Sequence, residues 1–184
     1  MKSVDLDNVS YSAFLQFEAD KFEYYKRIGL LLAPDAGGLN EITVWTYGKV
    51  KEMQMKFTQD ILFREIPGVL AFCHESEPAD FFDMKWHRVF GLYNHIVQEN
   101  QVIVEREKVL SFDPDGDMIA AGIEEFQKFG TLVTIDMLAD GNVLMYDPIE
   151  AKPYDLIFSK LLLESTKARY NKNLEAIKRR RDGK

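Results

Sequence analysis

The chain has 184 residues, of which 46% are apolar and 12% aromatic, and a formal net charge of −7. That length suits one domain, alone or with an appendage, and the apolar share is enough for a core, so disorder is expected only at the ends. The acidic balance argues against a dedicated nucleic-acid binder, no window approaches about eighteen apolar residues, and Cys73 alone permits neither an internal disulfide nor a cysteine metal cluster.

A single cysteine fits a reducing compartment. The opening MKSVDLDN is too polar for a secretion signal. Residues 1–9 read as a loose arm. Ser10 then suits an N-cap, and Phe14, Phe17, Tyr24, Ile28 and Leu31 fall at helical spacing, so one helix is predicted up to Ala33-Pro34. Ile42 to Trp45 reads as a short strand or an extended lead-in. Thr46 caps a predicted helix over KVKEMQMKF, and Asp60 caps another over Ile61 to Cys73, kinked or interrupted at Pro67.

Ser76-Glu77-Pro78 is a helix start. Phe82, Trp86, Val89, Tyr93, Ile96 and Val97 repeat behind it by threes and fours, which predicts a long helix through VIVEREKVL. Asp113 to Asp117 breaks that helix. The next runs from Met118 to Phe129, with Gly130 placed just past its end to stop it. Residues 131–146 read as two short helices joined at Gly141 or as a β-hairpin turning at Asp140-Gly141; the helical surroundings favour helices. Pro153 opens the last helix, which meets no further Pro and no Gly before Gly183.

The expected fold is mainly α. Residues 1–152 form a helical domain, and 153–184 form a long terminal helix whose first half packs on it and whose basic end projects. From Ser159 onward nine Lys and Arg face three Asp and Glu, a net of +6, so the rest of the chain holds −13 of the total −7. In that helix Leu156, Leu163, Tyr170 and Ile177 recur every seven residues, with Leu174 four after Tyr170. The stripe Leu163, Tyr170, Leu174 and Ile177 reads as a seam for docking on a partner. Lys178, Arg179, Arg180 and Arg181 form a basic tip, which complements the negative end of the helix dipole and is the one place where nucleic acid could be met. A solvated tail is the competing reading of that tip.

No catalytic signature is present, so no catalytic residue and no cofactor are expected. His87 lies four residues after Asp83, near enough for a pair on one helix face, but no nucleophile is marked beside it or beside His95. Asp113, Asp115 and Asp117 occupy positions 1, 3 and 5 of an EF-hand-like calcium loop, and Glu124 falls at position 12. Met118 stands at position 6, where that loop needs a residue tolerant of positive φ. The alternative is an Asp-rich surface turn whose last aspartate caps a helix.

Three fragments together resemble a family group: Trp45 to Gln54 (WTYGKVKEMQ), then Ala121-Gly122 with Phe129-Gly130, then Pro153-Tyr154 with Phe158 and Leu161. In this order, in a small acidic helical chain, they look like accessory proteins of tailed-bacteriophage structural modules, among them tail-assembly chaperones and small virion components near the portal and tail. The resemblance implies assembly by protein–protein contact, without a cofactor, with portal, tail or capsid proteins as partners and several copies in a symmetric structure. It places such a protein in the virion, and in the host cytoplasm during assembly. It carries over no site residue.

Overall fold

The computed structural model describes residues 8–39, 42–57, 62–111, 114 and 116–182. The fold is mainly α, and among the described residues there is no β-strand, only two isolated bridges, Ser10 to Lys85 and Thr46 to Pro153. The α-helices in chain order are α1 (Tyr11–Phe14), α2 (Ala19–Leu30), α3 (Tyr47–Phe57), α4 (Ile66–His74), α5 (Pro78–Phe82), α6 (Trp86–Glu107), α7 (Gly116–Ala120), α8 (Leu132–Leu138), α9 (Tyr146–Glu150) and α10 (Tyr154–Asp182). Short 3-10 turns lie between several of them. The chain divides into two compact units, Met1–Ile42 with Glu52–Val102, and Thr43–Lys51 with Ile103–Lys184.

The first unit is organised by aromatic rings. Tyr11 and Phe14 of α1 are fully buried. Phe14 stacks on Phe22 at 4.9 Å and on Trp86 at 5.9 Å, and meets Phe90 edge-on at 5.6 Å. The Tyr11 hydroxyl donates to the Phe63 carbonyl at 2.7 Å, so its one polar atom is satisfied as the ring goes inward. Helix α2 crosses α6 closely at Gly29, where a Cβ would stand 2.6 Å from Cγ of Phe90. Asn94 then donates to the carbonyls of Gly29 at 3.0 Å and Leu32 at 2.9 Å, satisfying the C-terminal end of α2.

The predicted single helix from Ser10 to Ala33 is two helices. Ser10 is the N-cap, its hydroxyl accepting from Ala13 N at 3.2 Å. Residues 15–18 then leave helical geometry. A straight helix would separate Phe14 and Phe22 by roughly 12 Å along its axis, whereas their rings stack at 4.9 Å. The helix predicted from Ser76 onward is also split. Pro78 opens α5, but residues 83–85 turn their backbone to the N-terminal segment. Tyr11 N donates to Met84 O at 2.8 Å and Trp86 N to Val9 O at 3.0 Å. Pro67 does not kink a helix; it lies in the first turn of α4, where a missing N–H costs nothing. Asp60 and Ile61 lie outside the described residues, and Ile42–Val44 is a 3-10 turn rather than a strand.

In the second unit the heads of α3 and α10 are tied together by backbone. Tyr47 N donates to Lys152 O and Tyr154 N to Trp45 O, both at 2.8 Å. Thr46 caps α3 as predicted, accepting from Lys49 N at 3.3 Å. Residues 131–146 are helical, which resolves the hairpin alternative. Asp140 and Gly141 do take the positive φ values of a tight hairpin turn, 52° and 73°. They use them to end α8, with Gly141 N donating to Asp136 O at 3.1 Å. The helix predicted over Met118 to Phe129 is interrupted at Gly122 (φ 83°), and Ile123–Phe129 continues as a 3-10 helix.

Candidate functional site

Helix α10 changes character along its length. Its first turn is anchored: Tyr154, Ile157 and Phe158 are buried. The Tyr154 hydroxyl donates to Oε1 of Glu107 at 2.8 Å, and Nζ of Lys51 donates to both oxygens of that carboxylate at 2.7 Å. Arg106 pairs with Asp155 and lies over the Phe158 ring at 4.1 Å. Tyr47 stacks near Tyr154, at 6.5 Å between ring centres. Burial and the nearby Glu107 carboxylate push the Tyr47 phenol up to about 12, and burial with the Glu107 hydrogen bond raises Tyr154 as well. These bonds tie Glu107, at the end of α6, to α3 and to the head of α10.

Beyond Phe158 no described side chain of α10 is buried. The predicted seam is on the surface: Leu156 is 58% exposed, Leu163 51%, Tyr170 64% and Ile177 55%, while Leu174 is half-buried. Glu164 is bridged by Lys160 and Lys167, whose hydrogen bonds hold its carboxyl below the usual range. Lys178, Arg179, Arg180 and Arg181 are all exposed, and Arg179 reaches Glu175 only at 4.0 Å.

A second apolar surface lies in the same unit, and the sequence reading did not single it out. Phe126, Phe129, Leu132, Val133, Asp136 and Tyr146 line a groove of about 240 Å³. Phe126 and Phe129 are 58% and 50% exposed. The Tyr146 hydroxyl donates to Asp136, which raises the phenol above its ordinary 10.0. The stretch from Asp117 to Glu150 holds seven acidic residues and one Lys, a net of −6, and Nζ of that Lys128 lies 5.1 Å from the centre of the Phe129 ring. Of these acidic residues Asp136 lines the groove itself, and an exposed apolar patch beside polar groups is typical of interaction sites.

Among the described residues, the other predicted site residues are not brought together. Residues 116–120, positions 4 to 8 of the calcium-loop reading, form the helical turn α7. Asp117 and Glu124 are exposed, Asp113 and Asp115 lie outside the described residues, and among the described residues no group of three His, Cys, Asp or Glu is placed to hold a metal ion. Asp83 ends α5 while His87 belongs to α6, so the pair does not share one helix face. His87 packs its edge on Trp86, and His95 is half-buried on the same helix. Comparison of the chain with protein-family models, with curated proteins and with solved structures finds no match.

Proposed function

We propose that this chain is a non-catalytic structural or assembly protein that acts by protein–protein contact. The observation that supports this reading is the second half of α10, a helix roughly 43 Å long over its 29 residues. It runs well past its last buried side chain with an apolar stripe turned to solvent. Isolated helical stretches of about 12–15 residues are marginal in water, and most helical stability comes from packing an apolar face. Docking on a partner supplies that packing.

The setting we propose is a tailed-phage virion. It rests on the resemblance of residues 45–54, of Ala121-Gly122 with Phe129-Gly130, and of Pro153-Tyr154 with Phe158 and Leu161, to accessory proteins of that class. The partners are then portal, tail or capsid proteins, met in the virion or in the host cytoplasm during assembly. Nucleic acid is a secondary contact, restricted to Lys178 through Arg181. Among the described residues no helix is long and apolar enough to cross a membrane.

The test uses the full chain with purified portal, tail and capsid proteins, measured by size-exclusion chromatography with light scattering. A stable complex that is lost in Tyr170→Asp/Ile177→Asp supports the reading. A strict monomer that binds none of them counts against it.

A further inference from the structure

We infer that the exposed half of α10 docks on the apolar groove within the acidic stretch 117–150 of a second copy of this chain, so that copies associate head to tail. The inference rests on the reading of α10 as a docking helix and names what it docks on.

The two surfaces match in apolar content and in charge. One is the groove of Phe126, Phe129, Leu132, Val133 and Tyr146, with Met137, 56% exposed, nearby. All seven acidic residues from Asp117 to Glu150 are exposed, against Lys128 alone, a net of −6. The other is the stretch 167–181, where Tyr170, Leu174 and Ile177 lie among seven Lys and Arg and one Glu, a net of +6. Within one chain both surfaces remain exposed.

Charge decides between the ways two copies could meet. Pairing α10 with α10 brings two +6 stretches together, and pairing groove with groove brings two −6 stretches together. Like charges across an interface suppress the wrong pairing, whereas opposite ones steer encounter and set the register. The favoured contact therefore joins different surfaces of the two copies. Such a heterologous contact builds a ring where the rotation closes and an open chain where it does not.

The experiment measures the mass of the full chain by sedimentation from the micromolar to roughly the millimolar range, where weak contacts dissociate. Three forms are compared: wild type, a tail variant (Tyr170→Asp/Ile177→Asp) and a groove variant (Phe126→Asp/Phe129→Asp), with helicity checked by circular dichroism. Wild type should grow in mass with concentration. Its affinity should fall at least about tenfold as added salt cuts the Debye length from about 30 Å to about 3 Å. Each variant alone should stay monomeric. An equimolar mixture should form a 1:1 dimer and nothing larger, because one intact tail and one intact groove remain.

A wild-type chain that stays monomeric overturns the inference, as does a variant mixture that stays monomeric. A groove variant that associates like wild type overturns it too but leaves the docking-helix reading standing, since α10 then pairs elsewhere. A tail variant that associates like wild type removes both. If either variant loses helicity, Arg180→Glu/Arg181→Glu and Glu124→Lys/Glu125→Lys, which cut the two stretches to +2 and −2, should each weaken wild-type association without touching apolar residues, and no weakening by either overturns the inference.

Discussion

The first unit gathers aromatic rings into one buried cluster, whereas the second, beside its own buried residues, leaves a set of large apolar side chains grouped at the surface. Around Phe14 the rings of Tyr11, Phe22, Trp86 and Phe90 converge, and Tyr11, Phe14 and Phe90 are fully buried. In the second unit Phe126, Phe129, Met137, Leu144, Tyr170 and Ile177 are each at least half exposed. Scattered exposed apolar residues are ordinary in any protein. Here they are grouped, one set along a helix seam in a stretch of net positive charge and the other around a groove in a stretch of net negative charge. The contrast teaches that a high apolar content can be gathered into a core in one part of a chain and left grouped at the surface in another.

The sharpest way to test that contrast is to remove the centre of the buried cluster. Phe14→Ala should cost about 3–5 kcal/mol, the range for a large aromatic lost from a core, read as a fall in the urea midpoint with an unchanged slope. Gly29→Ala comes next. Alanine favours a helix by up to about 1 kcal/mol over glycine, but its Cβ would meet the buried Phe90 ring at 2.6 Å. The net change should be destabilising by about 1–3 kcal/mol, and a Gly29→Ala protein as stable as wild type would show that α2 can move off α6.

In the second unit, Glu107→Gln should lower stability by about 1–3 kcal/mol, because it removes the charged acceptor shared by Lys51 and the Tyr154 hydroxyl. The same network predicts a response to alkali. Tyr47 titrates at about 12 in the folded chain against an ordinary 10.0. A phenol raised in the folded state contributes stability that is complete below pH 10 and is lost as the pH rises toward 12. Denaturation midpoints should be flat below that window and fall within it, with tyrosinate absorbance rising alongside. The smallest stability effect belongs to the tail: Tyr170→Asp with Ile177→Asp should stay within about 0.5 kcal/mol of wild type, as surface changes do, while abolishing association. A large loss of stability from that pair would mean the stripe packs inward after all.

Several features were legible because they depend on neighbours in the chain. The Ser10 and Thr46 caps, the start at Pro153, and a terminal helix reaching Asp182 all follow from local rules. The breaks at 15–18 and 83–85 were not legible. They exist because the backbone of 9–11 bonds to that of 84–86 and because Phe14 and Phe22 meet across a bend. Asp140-Gly141 shows the same limit from the other side: one local conformation serves a hairpin and a helix end equally well, and only the surrounding helices choose. Of the contact surfaces, the seam on α10 could be read from its seven-residue repeat. The groove could not, since Phe126, Leu132 and Tyr146 sit on three different elements.

By itself the sequence determined the helical class, the polarity of the two ends and the pattern of the last helix, because propensity, capping and periodicity act over a few residues. The tertiary structure decided where the long predicted helices break, which aromatic residues go inside, and that Phe126, Phe129, Leu132, Val133 and Tyr146 line one groove. Those outcomes depend on segments far apart in the chain competing for the same backbone partners and the same space, and no local pattern records that competition.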